Sequence, residues 1–198
     1  MTTTDASIES LSRRPKRADA VRNFEKLISA AREAFTEDGS SASLEDIARR
    51  AGVGIGTLYR HFPSRQALLE AVYVEEVDAL GRSAVDLTGE PPWEALVAWV
   101  HRFVGYIATK QALAEDLMTY NDADAEVFKL CRTTLYNAGG PLLTRAQQAG
   151  VARGDTDITE VMQLVGGIAK IQTAEPDQLS RLIDMALDGL RYRGPAST

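Results

Sequence analysis

The sequence predicts an all-α protein of roughly nine helices, on three observations. Apolar residues recur at three- and four-residue intervals through almost the whole of the 198-residue chain. Runs with the two-residue alternation of strands are nearly absent. Glycines and prolines interrupt the helical pattern where helices should end.

Phe24, Leu27, Ile28, Ala31 and Phe35 mark a first amphipathic helix over about residues 18–38, and Gly39 is placed to end it. Ser43 precedes Leu44, Ile47 and Ala48, with Asp46 three residues on, which reads as an N-cap and a capping-box-like start. That second helix is short, because Gly52 closes it near residue 51. Pro63 stops whatever follows Gly54, and Ser64 caps a longer helix through Leu68, Leu69, Val72 and Val77.

Gly89, Pro91 and Pro92 make a loop. After it, Trp93, Leu96, Val97, Val100, Phe103, Val104 and Ile107 share a face that Trp99 and Tyr106 widen. The arc covers about half the circumference, against the ~100° of a surface helix, so packing on more than one side is expected. Val127, Leu130, Cys131, Thr134 and Leu135 define a further helix, expected to break or kink at Gly139-Gly140-Pro141 and to end near Gly150. Two final helices are expected over about 158–172 and 177–192, with Pro176 suited to start the last.

Composition narrows the function. An apolar fraction of 44% and a charged fraction of 25% are ordinary for a soluble globular protein. No apolar run approaches the roughly 20 residues that span a bilayer, and polar and basic residues fill the N-terminus where a secretory signal has its apolar core. The expectation is a cytoplasmic protein without membrane contact. One cysteine, Cys131, excludes an internal disulfide, and two histidines far apart leave a metal site or a nucleophilic triad unsupported. No cofactor is expected.

Net charge is −6, but it is unevenly spread. Residues 13–65 carry eleven Lys and Arg against seven Asp and Glu, a balance of +4, while residues 66–198 carry eleven against nineteen, a balance of −8. Such asymmetry suits an anion-seeking N-terminal module on an acidic body, with a chance fluctuation as the alternative.

The segment "GVGIGTLYRHF", Gly52–Phe62, explains the module. Residues 43–62 form two short helices joined at Ala51-Gly52-Val53: Ile47, Ala48, Val53 and Leu58 pack inward, and Thr57, Tyr59, Arg60 and His61 point largely outward. Hydroxyl, phenol, guanidinium and imidazole grip phosphate oxygens, and acids, which would repel them, are missing from that face. Gly52 makes the turn, whereas Gly54 and Gly56 remove side chains where the backbone must come close to another surface. The expectation is a helix-turn-helix that reads DNA; the alternative is two short helices packed on a third, with their polar residues exposed by accident.

Three stretches resemble one family: "ISAAREAFTEDG", "SLEDIARRAGV" and "GTLYRHFPSRQALL" are similar to the DNA-binding domain of the TetR (tetracycline-repressor-like) bacterial regulators over residues 18–72. By position, the resemblance implies that Ser43, Thr57, Tyr59, His61 and Arg65 hold the DNA backbone. It sets residues 54, 55, 56 and 60 at base edges. Many relatives have a hydroxyl at 54 and a basic residue at 55, where this chain has Gly54 and Ile55. An isoleucine there suits a thymine methyl, and Arg60 suits guanine or a phosphate.

The resemblance also implies a division into a flexible basic arm (residues 1–17), a helix-turn-helix domain (18–72) and a ligand-binding and dimerisation domain (73–198). Arg13, Arg14, Lys16 and Arg17 either flank the duplex or form a solvated tail. The implied homodimer forms through residues 158–192, where Gly166-Gly167 and Gly189 permit close approach and Val165 and Ile183 lie in the apolar stripes; intramolecular core is the alternative for those stripes. Trp99, Phe103, Tyr106, Met118, Phe128, Cys131 and Tyr136 are candidates to line a cavity for a small, largely apolar effector, or else plain core. His101 reads as a boundary histidine. The expected function is a repressor that binds a palindromic double-stranded operator in the bacterial nucleoid and is released by the effector. The alternatives are an effector-independent regulator or activator, and an all-α enzyme.

Overall fold

A computed structural model describes residues 15, 17–117, 123–171 and 175–191. It contains eight α-helices: α1 (Ala18–Asp38), α2 (Leu44–Arg50), α3 (Ile55–His61), α4 (Arg65–Asp86), α5 (Pro92–Leu117), α6 (Ala123–Gln148), α7 (Ile158–Ala169) and α8 (Pro176–Leu190). Short 3-10 turns at Gly39–Ser41 and Leu87–Gly89 complete the helical content. Among the described residues there is no strand, only an isolated antiparallel bridge between Ala152 and Arg191. None of the helices is long and apolar enough to cross a membrane. The chain divides into two compact units: one holds the described residues up to Asp78 together with Thr109–Arg132, the other Ala79–Ala108 together with the described residues from Thr133 onward.

In the first unit, Leu27, Ala31 and Phe35 of α1 are 0–1% exposed, and Ile47 of α2, Leu58 of α3, and Leu68, Leu69 and Val72 of α4 are likewise sealed, with α1 packed on α2. Each of these side chains except that of Ala31 contributes about 1.5–3 kcal/mol relative to exposure. That burial is what holds two seven-residue helices, too short to persist alone in water. Gly39 ends α1 at φ +54°, and Gly52 turns the chain from α2 to α3 at φ +67°, a region costly for a residue with a Cβ. Ser64 caps the start of α4, its hydroxyl accepting the Ala67 N–H at 3.1 Å.

The second unit is organised on Trp99 of α5, which has no exposed surface. Its indole N–H donates to the Leu80 carbonyl of α4 at 3.2 Å, so the ring is buried without an orphaned donor. Against it lies Gly139 of α6, where an added Cβ would stand 2.6 Å from the indole and 2.9 Å from Ile158 Cδ1. Of the expected break or kink at Gly139-Gly140-Pro141, the break does not occur, since α6 runs through all three residues. The glycine is there for contact with Trp99. Pro141 removes one helical donor at an exposed position, where water can serve the carbonyl left over.

α7 begins with a reciprocal capping box that links Asp157 and Glu160, each N–H to the other's carboxylate at 3.0 Å. The end of α8 is tied back to the loop before α7, as the Arg153 N–H donates to Leu190 O at 2.9 Å. Val165 and Ile183 are 0% and 1% exposed within the single chain, so they belong to its own core. The stripes of the last two helices therefore face two ways. Val161, Val165, Ile183 and Leu187 are buried, whereas Leu164, Ile171 and Met185 are exposed.

Candidate nucleic-acid interface

The helix pair is held from α2 outward. Ser43 caps α2, accepting the Asp46 N–H at 3.0 Å. Asp46 does not return the bond to Ser43, as a full capping box would; Arg49 and Arg50 both donate to its carboxylate. Those two guanidiniums, Arg50 first, hold the Asp46 carboxyl below its ordinary range. Arg50 also donates to Glu37 at 2.5 Å, pinning α2 to the end of α1. The Asp46–Arg50 spacing of four residues on one helix is the sequence signal for this network, which the motif reading passed over.

On α3 the helical rotation of about 100° per residue puts Gly56 and Arg60 roughly opposite the buried Leu58, on the outermost line. Ile55 and Tyr59 form one flank, 37% and 47% exposed, and Thr57 and His61 the other, both half-buried. Between Asp46 and Glu70 there is no acidic residue. Arg60 folds back along the helix, donating to the Gly56 carbonyl at 3.2 Å and to the Thr57 hydroxyl at 2.9 Å, with further guanidinium N–H groups to offer. His61 packs beside Phe24 and Phe62, ring centroids at 6.4 and 6.1 Å. Partial burial first, and the Arg60 charge second, push its pKa below the usual 6.5, so the imidazole is neutral at pH 7.

The glycines divide into two kinds. Gly52 needs its positive φ, whereas Gly54 has an ordinary φ of −72° and Gly56 is helical. A Cβ at either 54 or 56 would meet nothing within 4 Å. Nothing inside the chain asks for glycine there.

Arg65, at the start of α4, is part-buried. Its guanidinium donates to the carbonyls of Ala42 and Gly39 and lies 4.9 Å over the Phe35 ring. These bonds tie the start of α4 to the 3-10 turn and to the residue before Ser43. Ser43, Gly54, Ile55, Gly56, Thr57, Tyr59, Arg60 and His61 remain together around α2 and α3. Of the arm residues, Arg13, Arg14 and Lys16 lie outside the described residues, and Arg17 is exposed at the start of α1.

The candidate effector residues are drawn from both units. Trp99, Phe103 and Tyr106 stack in a row on α5, with centroids 5.9 and 6.0 Å apart. Trp99 is sealed core, as shown above, and Phe103 and Tyr106 are each 6% exposed. Tyr136 of the same unit is half-buried. Cys131 is buried in the other unit, where loss of solvent pushes its thiol up to about 12 and leaves it unreactive. Met118 and the Phe128 side chain lie outside the described residues. His101 is exposed, with Nε2 3.4 Å from an Asp184 carboxylate oxygen.

Known proteins share this arrangement. Residues 27–72 match the bacterial regulatory proteins of the tetR family, and residues 91–192 match the C-terminal domain of SbtR-like transcriptional regulators. The crystal structure of the TetR transcriptional regulator SCO0520 from Streptomyces coelicolor is 40% identical and superposes with a TM-score of 0.76, covering 88% of this chain and 99% of that one. The HTH-type transcriptional regulator UidR of Escherichia coli is 29% identical over 180 residues, 84% of this chain and 88% of its own. A third, the HTH-type transcriptional regulator SAR0097 of Staphylococcus aureus, is 37% identical over 79 residues, which make up 39% of this chain and 41% of that protein. These relatives are regulators of transcription, not enzymes, and regulators of the family bind DNA and dimerise. The chain belongs to the TetR family and is a helix-turn-helix transcriptional regulator.

Proposed function

We propose that the protein is a dimeric repressor, which binds a palindromic operator through α3 and is released from it by a small, largely apolar effector. The observation that carries the DNA reading is the outward face of α3. It combines hydroxyl, phenol, imidazole and guanidinium groups with two glycines that the chain itself does not require. In this reading Ser43, Thr57, Tyr59 and His61 meet the phosphate backbone, and Gly54, Ile55, Gly56 and Arg60 meet base edges. Arg65 acts from beneath, as the brace of the turn before Ser43. Residues 18–72 are the DNA-binding part and 73–198 the regulatory part, working in the cytoplasm on the bacterial nucleoid.

Leu164 on α7, Ile171 just beyond its end and Met185 on α8 support the dimer, at 46%, 43% and 70% exposure, with Gly167 and Gly189 also exposed. The two helices pack on each other, and such a face suits a second copy in a four-helix arrangement. The effector, in this reading, is apolar, because Trp99, Phe103 and Tyr106 make a stacked aromatic row on α5. Release needs the effector to prefer the conformation that does not fit DNA, because equal affinity for both conformations shifts nothing. Selection of duplexes from a random library by the purified chain tests the DNA reading. The expected product is a palindrome with half-site centres about 34–36 Å apart or a multiple of that. A library that enriches nothing would overturn it.

A further inference from the structure

Resting on that DNA reading, we propose that Ile55 makes the chain a reader of pyrimidine C5-methyl groups: it selects thymine at one position of each half-site by apolar contact, and accepts 5-methylcytosine there over cytosine.

Ile55 and Tyr59 are the exposed large hydrophobic side chains of the described first unit. Tyr59 ends in a hydroxyl and has a polar use. Ile55 has none, and it is solvated at the first turn of α3, where an ordinary surface position would carry a polar residue. On both sides of it the backbone is bare, since Gly54 and Gly56 leave open space where a Cβ would be. A group approaching from outside therefore reaches the isoleucyl methyls without first meeting a neighbouring side chain. Arg60, the one strong donor nearby, is drawn to Gly56 O and Thr57 Oγ1.

The major groove offers one methyl group, on thymine C5; the rest of its edge is mainly donors and acceptors, and cytosine carries only a C5–H where thymine has the methyl. Pressing Ile55 onto a guanine, adenine or cytosine edge strips water from polar atoms and replaces no hydrogen bond. Against thymine the same contact buries hydrocarbon on hydrocarbon. Discrimination arises from both sides, attraction to the methyl and rejection of the bare polar edge. Cytosine methylated at C5 regains the attractive half.

Uracil in place of thymine isolates the effect, because it removes the methyl and leaves the pairing edge and the groove acceptor unchanged. A palindrome selected from the random library is synthesised with each thymine replaced in turn, symmetrically in both half-sites, and binding is measured by fluorescence anisotropy. One position is expected to lose about fourfold per half-site, the value of one buried methyl-sized group, or roughly fifteenfold for the dimer. Ile55→Ala should bind thymine and uracil duplexes equally, while Ile55→Val, which keeps branched methyls, should retain the difference. With cytosine at that position, the unsubstituted protein should prefer the 5-methylated duplex and Ile55→Ala should not. Both variants alter a solvated side chain, and circular dichroism checks that they fold. If a palindrome is enriched but no thymine responds to uracil, or if the response persists in Ile55→Ala, the methyl reading is overturned while DNA binding stands. A library that enriches nothing overturns both.

Discussion

Replacing Gly56 with alanine should raise the stability of the free protein and lower its affinity for DNA. Gly56 is helical, and a Cβ built there has no heavy atom within 4 Å, so alanine fits without strain. The exchange restricts the unfolded chain and favours the helix by about 0.4–1 kcal/mol. For a chain of this size that amounts to roughly 1–4 °C in melting temperature. The same methyl projects nearly opposite Leu58, along the line where α3 would meet the duplex. If the backbone approaches DNA closely there, forcing in the methyl costs about 1–3 kcal/mol per half-site, roughly five- to 150-fold. Differential scanning calorimetry on the free protein and anisotropy on a selected duplex read the two effects separately. Gly52→Ala is the contrasting control, since its φ of +67° makes alanine destabilising although its surroundings are as open. Unchanged DNA affinity in Gly56→Ala would refute the close approach, and a fall in stability would refute the reading of open space.

Three further outcomes follow from the geometry. His61 titrates below 6.5 in the free protein, and a bound phosphate would raise its pKa, so binding takes up protons in that window. Affinity should therefore rise as pH falls through it, by at most about tenfold per unit per site, and His61→Gln should flatten the profile. Because the folded pKa lies below the unfolded one, the free protein binds fewer protons than the unfolded chain, and its stability should fall as the pH drops below about 6.5. Met185→Glu should give a folded monomer by light scattering, whereas Val165→Asp should unfold the chain, because one side chain is 70% exposed and the other is sealed. Gly139→Ala should lower stability by about 1–3 kcal/mol in denaturant titration despite its better helix propensity, since its Cβ would enter the Trp99 ring.

Much of this was legible in the sequence, wherever a residue type has one physical use. Ser43, Gly39, Gly52 and Ser64 act locally, through caps and positive φ, and each ends or starts a helix as read. Leu58 and Ile47 were placed inward by spacing alone. The misreadings come where the deciding partner is remote in sequence. Gly139 looked like a helix break because its contact, Trp99, is forty residues away. The bonds from Arg65 to the Ala42 and Gly39 carbonyls were equally out of reach, because those partners lie 23 and 26 residues away. Val165 and Ile183 sat in stripes whose two sides, one for the chain's own core and one solvated, share the same helical period.

The charge balance of +4 over residues 13–65 overstates what the described surface around α2 and α3 can offer to phosphate. Arg49 and Arg50 are paired with Asp46, and Arg50 also with Glu37. Arg65 is turned to main-chain carbonyls, and His61 is neutral at pH 7. Arg60 is left as the cation on the outward line of α3, so in the proposed reading the grip there would depend mainly on the neutral Ser43, Thr57, Tyr59 and His61. Neutral donors hold phosphate without displacing counterions, and so carry little salt dependence. One cation in each half of a dimer gives a slope of log affinity on log salt of about −2, since each neutralised phosphate contributes about −0.9. Arg13, Arg14 and Lys16 could add six more charges per dimer if they reach the duplex. The slope thus measures the arm. A value near −2, unchanged on deleting residues 1–16, would leave DNA binding to α2 and α3. A slope near −7 that collapses on deletion would move most of the electrostatic grip to the arm and refute the neutral-donor account.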